Sequence, residues 1–197
     1  MDAVNNDRRV RKTKRALHEA LINLMSEKDI RSISVKSLTE KADIHRSTFY
    51  AHYVDIFDLY DDLEDTVMFE LEHLITENFS LKLHDYFRVL FNYIDENKNL
   101  CRLLFTGEHA SCFLARLTDL FKAACLENWS GFMGERGRHE ALAYYAEYHL
   151  NGGFAMVRRW VDSDFKYPKE EMVRMIAGLD AHISKYLAEE QQTETLK

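Results

Sequence analysis

Apolar residues along this chain recur at intervals of three and four, and no segment alternates with period two. That spacing puts them on one face of a helix and predicts an all-α protein of about nine helices. Leu17, Leu21, Leu24 and Met25 mark the core face of a first helix over about residues 7–27. Ser34 stands where an N-cap belongs, ahead of a short helix whose apolar stripe is Val35, Leu38 and Ala42. Asp43 occupies the position of a tight turn, and Asp tolerates left-handed backbone angles. A second short helix is expected over about 45–52. A longer one follows Asp55, with the stripe Ile56, Leu59, Leu63, Val67, Leu71 and Leu74.

The same periodicity continues to the far end. Tyr86, Phe87, Leu90, Phe91 and Ile94 predict a fifth helix, and residues 100–105 a short sixth that stops at Gly107. Phe113, Leu114, Leu117, Phe121 and Cys125 predict a seventh. Ser130–Arg138, with three glycines, is the clearest loop. An eighth helix is expected over about 139–161, where Gly152 and Gly153 would permit close helix approach. A ninth begins near Pro168 and runs to about 189, with Ile176, Ala177, Leu179, Ile183 and Leu187 as its stripe. The expected organisation is a three-helix head over residues 1–53 and a helical body over 54–189. The helix over about 55–78 would connect them, and 190–197 would form a disordered tail.

Composition narrows the class. Hydrophobic residues make up 46% of the 197, enough for a real core. No apolar run is long enough to span a membrane, and the charged opening residues lack the apolar stretch of a secretory signal. Cys101, Cys112 and Cys125 show no metal-ligand spacing and predict reduced thiols in a cytoplasmic protein. The nine histidines form no H-E-x-x-H motif or ligand-spaced cluster, so neither a metal nor a cofactor is expected. No nucleophile–base pair, phosphate-cradling glycine loop or paired carboxylates stand out, which argues against an enzyme.

The net charge of −7 argues against general nucleic-acid affinity, but the charge is unevenly spread. Residues 1–53 carry 11 Lys/Arg against 7 Asp/Glu, whereas residues 54–197 carry 15 against 26. Residues 54–81 hold 9 acids and no Lys or Arg. A basic head on an acidic body is the electrostatic pattern of a nucleic-acid-binding module.

The head also has a pattern suited to DNA. A helix-turn-helix needs one helix to brace and a second to enter the major groove. Phe49 and Tyr53, four apart, would pack inward against Leu38 and the first helix. Arg46, Ser47 and Tyr50 would then face outward. Arg46 could pair with guanine O6 and N7, worth roughly 1–3 kcal/mol of discrimination. Thr48, Tyr50 and His52 offer donors for phosphate oxygens, and Lys36 a charge. Ser34 could set a helix N-terminus on a phosphate. The run Arg8, Arg9, Arg11, Lys12, Lys14 and Arg15 could add phosphate or minor-groove contacts. Taken singly, each of these is an ordinary surface or packing residue.

The order of elements, with S-V-x-S-L from Ser34 and A-D-I-H-R-S-T-F-Y-A-H-Y from Ala42, resembles the TetR/AcrR family of bacterial transcriptional regulators. T-F-Y-x-H-Y at 48–53 is its most specific element, and the resemblance spans about residues 8–65. It implies DNA contacts at Ser34, Arg46, Ser47, Thr48, Tyr50 and His52, with core roles for Phe49 and Tyr53. It also implies a divergent C-terminal ligand and dimer domain, and a homodimer through helices 8 and 9 on a double-stranded DNA operator. Two positions depart from the family pattern. Asp43 stands where members usually carry Gly, and Ile56 where they often carry Lys. The second departure removes an expected phosphate contact.

The body is rich in aromatics. Phe87, Phe91, Phe105, Phe113 and Tyr145, with His109 and His149 as polar handles, are candidates for a pocket that takes a small-molecule effector. Aromatics at helical spacing are more often plain core. The functional expectation is therefore a regulator, acting as a repressor on a palindromic operator and responding to an effector. The alternative is a helical protein-interaction module triggered by a partner protein.

Overall fold

The computed structural model describes residues 2–78, 81–107, 110–130 and 138–195, and among these every regular element is helical. The elements are α1 (Asp2–Met25), α2 (Val35–Ala42), α3 (Arg46–Tyr50), α4 (Ile56–Asn78), α5 (Leu83–Glu96), α6 (Lys98–Thr106), α7 (Ala110–Ser130), α8 (Arg138–Asp162) and α9 (Lys169–Thr195). A single 3-10 turn, Ile30–Ser32, links α1 to α2. The glycine-rich stretch 131–137 lies outside the described residues, as does His109. α9 continues through Thr195, six residues into the segment expected to be a disordered tail.

The chain forms two compact units, Met1–Glu70 and Leu71–Lys197. The boundary lies inside α4, and the first turns of α4 belong to the head's own core. Leu17, Leu21 and Leu24 of α1, Leu38 of α2, Phe49 of α3 and Ile56, Leu59 and Leu63 of α4 are all buried. Met25, expected in that stripe, is only half-buried, and Ala20 takes the inward position.

Two local devices shape the head. Ser34 and Ser37 form a reciprocal capping box at the start of α2, each side chain accepting the other's backbone N–H at 3.1 and 3.2 Å. At its end Asp43 adopts the left-handed conformation, φ 54° and ψ 47°. The Ile44 N–H then returns to the Thr39 carbonyl at 3.0 Å, closing the turn.

In the second unit α5 packs along α9, and α7 along α8. Phe91 packs at a tilt against Trp160 and Phe105 meets Phe113 edge-on, so these rings fill the core. Along α9, Met172, Val173, Ile176 and Ala177 turn inward, while Leu179 faces outward. Ile75 replaces Leu74 as the buried residue near the end of α4's stripe. A Cβ added at Gly152 or Gly153 would meet no atom within 4 Å, so no close packing among the described residues requires those glycines. Gly107 differs: a Cβ there would lie 2.4 Å from the Leu103 carbonyl oxygen where α6 ends. No helix among the described residues is long and apolar enough to cross a membrane.

Candidate nucleic-acid interface

The outward side of the head is built by a helix only five residues long. So short a helix has little stability of its own, because nucleation costs more than its few hydrogen bonds return. Its pose must come from packing, and Phe49 supplies it. That ring is fully buried, meeting Tyr50 edge-on at 5.3 Å and Tyr53 at 5.7 Å. With Phe49 inward, Arg46, Ser47 and Tyr50 are left exposed, Tyr50 to 60%. Thr48 and His52 are half-buried at the edges of this face.

The other candidates sit less simply. Lys36 is exposed on α2, one turn from Glu40, with 3.9 Å between the charges. The Ser34 hydroxyl accepts the Ser37 N–H in the capping box and donates to Ser37 Oγ at 3.2 Å, so a phosphate would compete with Ser37 Oγ for the Ser34 hydrogen while the cap stays in place. In the basic run, Lys14 pairs with Asp62 at 2.8 Å and Arg15 with Glu19 at 2.8 Å, while Arg8, Arg9 and Lys12 are exposed. Ile56 is buried, 6% exposed: where the family pattern places a cation, this chain uses the position to anchor α4 in the head.

Two features were not anticipated from the sequence. His45 is the N-cap of α3, exposed and making no side-chain cap bond, directly beside Arg46. With Thr39, Glu40, Asp43, Ile44 and Arg46 it lines a surface hollow of about 420 Å³. Its place next to the turn was the only signal. The second is a polar cluster behind the helix. Asp62 accepts from Tyr53 Oη at 2.6 Å and from Lys14 Nζ at 2.8 Å, and His18 Nε2 lies 2.9 Å away. Burial is the largest influence on the Asp62 carboxyl and acts upward, but the Lys14 and Tyr53 donors together hold it below the usual carboxylate value. Burial, then the bond to Asp62, push the Tyr53 phenol up.

The effector candidates are dispersed over several contacts. Besides the paired rings of Phe91, Phe105 and Phe113, Phe87 meets Tyr86 edge-on, and Tyr145 meets Tyr186 across α8 and α9. His149 Nε2 lies 2.5 Å from Asp180 Oδ1, with both side chains mostly buried.

Comparison with known proteins places these features in context. Residues 82–179 match the family model described as the transcriptional regulator C-terminal region of TetR proteins. Over 50 residues the chain is 42% identical to the uncharacterised HTH-type transcriptional regulator YxbF of Bacillus subtilis (strain 168). That match covers 25% of this chain and 13% of that protein's length. Among solved structures, the dihydroxyacetone kinase operon activator DhaS superposes with a TM-score of 0.67 at 20% identity, over 88% of this chain and 97% of that one. A TetR transcriptional regulator from Streptococcus agalactiae 2603V superposes at 0.64 and 21% identity, over 90% and 98%. FadR of Bacillus subtilis, solved in complex with stearoyl-CoA, superposes at 0.66 and 14%, over 83% and 95%. At such identities the structures establish the fold alone. The family match, the HTH-type relative and the shared fold agree: the chain belongs to the TetR family of transcriptional regulators.

Proposed function

We propose that this regulator binds a palindromic DNA operator as a homodimer through α3 and answers to an effector received by its second unit. The observation that carries the reading is the two-sidedness of α3. Phe49 is sealed into the core, while Arg46, Ser47 and Tyr50 stand exposed on the most basic part of an acidic chain. Arg46 supplies base discrimination. Tyr50, Thr48, His52, Lys36 and the cations of α1 supply phosphate contacts, and Ser34 adds one by turning its hydroxyl hydrogen from Ser37 Oγ to the phosphate. Occupying an operator makes repression the simplest outcome.

Dimerisation is proposed through α8 and α9. Tyr144 and Tyr148 on the first, and Met175, Leu179 and Tyr186 on the second, are large apolar side chains left exposed. A two-fold pair would present two recognition helices about 34–36 Å apart, matching successive major grooves. The effector is proposed to engage the aromatic body, with Phe87 and Tyr145 as its more accessible members and Phe91, Phe105, Phe113 and the Asp180-paired His149 behind them. α4 enters both units, which gives an event in the second a route to the first. A coupling of about 1–3 kcal/mol is enough for useful regulation.

A second reading, a protein partner as trigger, draws on Phe57 and Phe69, exposed on the acidic helix α4. Its test is whether Phe69→Ser abolishes a response that small molecules do not evoke.

The deciding experiment is selection of duplexes from a random pool, followed by competition against shuffled DNA. One preferred palindrome is expected. With about eight phosphate contacts per dimer, the log–log salt slope should be about −7. Arg46→Ala should relax the preference while leaving most of that slope. If no duplex is preferred, the DNA-binding reading is wrong.

A further inference from the structure

α3 is too short to hold its own direction, and its N-cap, His45, makes no side-chain cap bond. Its C-terminal end is held differently. Three residues beyond Tyr50, Tyr53 turns its ring into the core against Phe49 and its hydroxyl onto Asp62 of α4 at 2.6 Å. The same carboxylate takes Lys14 Nζ at 2.8 Å and lies 2.9 Å from His18 Nε2, both on α1. Lys14 also sits over the Tyr53 ring, 5.4 Å from its centre. One carboxylate thus ties together α1, α4 and the segment leaving α3. From Asp62 a chain of rings, Tyr53 to Phe49 to Tyr50, leads to the exposed face.

We propose that Asp62 is a positioning residue for the recognition helix: by fixing Tyr53 it sets where Arg46, Ser47 and Tyr50 stand against DNA. The inference rests on the DNA-binding reading, and Asp62 itself touches no DNA in it. Lys14 has a corresponding role. Its charge is spent on Asp62, so it braces the head while Arg8, Arg9 and Lys12 remain as the outer cations of α1. A merely stabilising carboxylate would influence all DNA binding alike. A positioning one influences discrimination, because base-edge hydrogen bonds are sensitive to displacement and phosphate attraction is not.

The test compares the unmodified full-length protein with Tyr53→Phe, Asp62→Asn, Asp62→Ala and the Tyr53→Phe/Asp62→Ala double variant. The probes are the duplex that the unmodified protein selects from a random pool and a shuffled duplex of equal length. Tyr53→Phe keeps the ring and its packing and removes only the hydroxyl. It should weaken binding to the selected duplex about tenfold, the scale of one hydrogen bond to a charged acceptor. Binding to the shuffled duplex should stay within about twofold and the salt slope should not change. Asp62→Asn, whose amide oxygen still accepts from Tyr53, should recover part of the loss seen in Asp62→Ala. The double variant should discriminate little worse than Asp62→Ala. If Tyr53→Phe discriminates as well as the parent, or if it weakens both duplexes equally, the positioning role is overturned while the DNA-binding reading stands. If the parent itself selects no duplex, both fall together.

Discussion

His149 Nε2 and Asp180 Oδ1 lie 2.5 Å apart, joining α8 to α9 inside the second unit. Asp180 is 7% exposed, so its carboxylate depends on protein donors rather than on water. Replacing His149 with Ala leaves that acceptor short of a partner and should cost roughly 1–3 kcal/mol. Asp180→Asn, which still offers an oxygen to the imidazole, should cost less. Urea unfolding followed by circular dichroism orders the two. Equal losses would mean the pair adds nothing beyond packing.

His18 makes the head sensitive to mild acid. Burial is the main cause that lowers its pKa below the ordinary 6.5; the Asp62 carboxylate opposes it in part, and Lys14 adds to it. An unfolded chain therefore takes up a proton at this position before the folded head does. Stability is full above about 6.5 and declines as pH falls from there through the folded value. Asp62, also lowered, acts only in the carboxylate range below 3.8. Melting curves between pH 8 and 5.5 should fall more steeply for the parent than for His18→Gln. Parallel curves would remove His18 as the cause.

The three thiols should react very unequally. Cys101 is pushed up to about 12 by burial, and Cys125 to about 12 by burial and then by the nearby Asp180 charge. Cys112 is exposed. Since the thiolate is the nucleophile, iodoacetamide at pH 8 should label the native protein at Cys112 alone and the urea-unfolded chain at all three. Peptide mass spectrometry reads the pattern, and early labelling of Cys101 would contradict its burial.

Two backbone positions predict opposite signs. Gly107→Ala places a methyl group against the Leu103 carbonyl and should destabilise by roughly 1–3 kcal/mol. Asp43→Gly relieves a left-handed non-glycine residue at the end of α2 and should stabilise, by less than about 1 kcal/mol. Thermal melts of the pair check both directions in one experiment.

Features set by neighbours in sequence were legible from it. The Ser34 cap, the left-handed Asp43, the inward Phe49 and Tyr53 and the outward Arg46 and Tyr50 all follow from spacing within a few residues. Features set by which faces meet were not. Asp62 draws its α1 donors from 48 and 44 residues away, and no local pattern singles it out among nine acids. The apolar stripe of α9 divides in the structure, Ile176 and Ala177 buried and Leu179 exposed, because only the packing against its neighbours selects the inward part of the stripe. The position of the compact boundary at Glu70 has no signal in the sequence, because α4 reads as one uninterrupted helix.

The separation of duties on α3 has an evolutionary consequence. Arg46, Ser47 and Tyr50 add little to the head's interior, so substitutions there leave folding almost untouched. Phe49, one position from Tyr50, allows no such freedom. On the proposed DNA-binding reading, a gene duplicate of this protein would drift to a new target through three exposed positions while inheriting an unchanged scaffold.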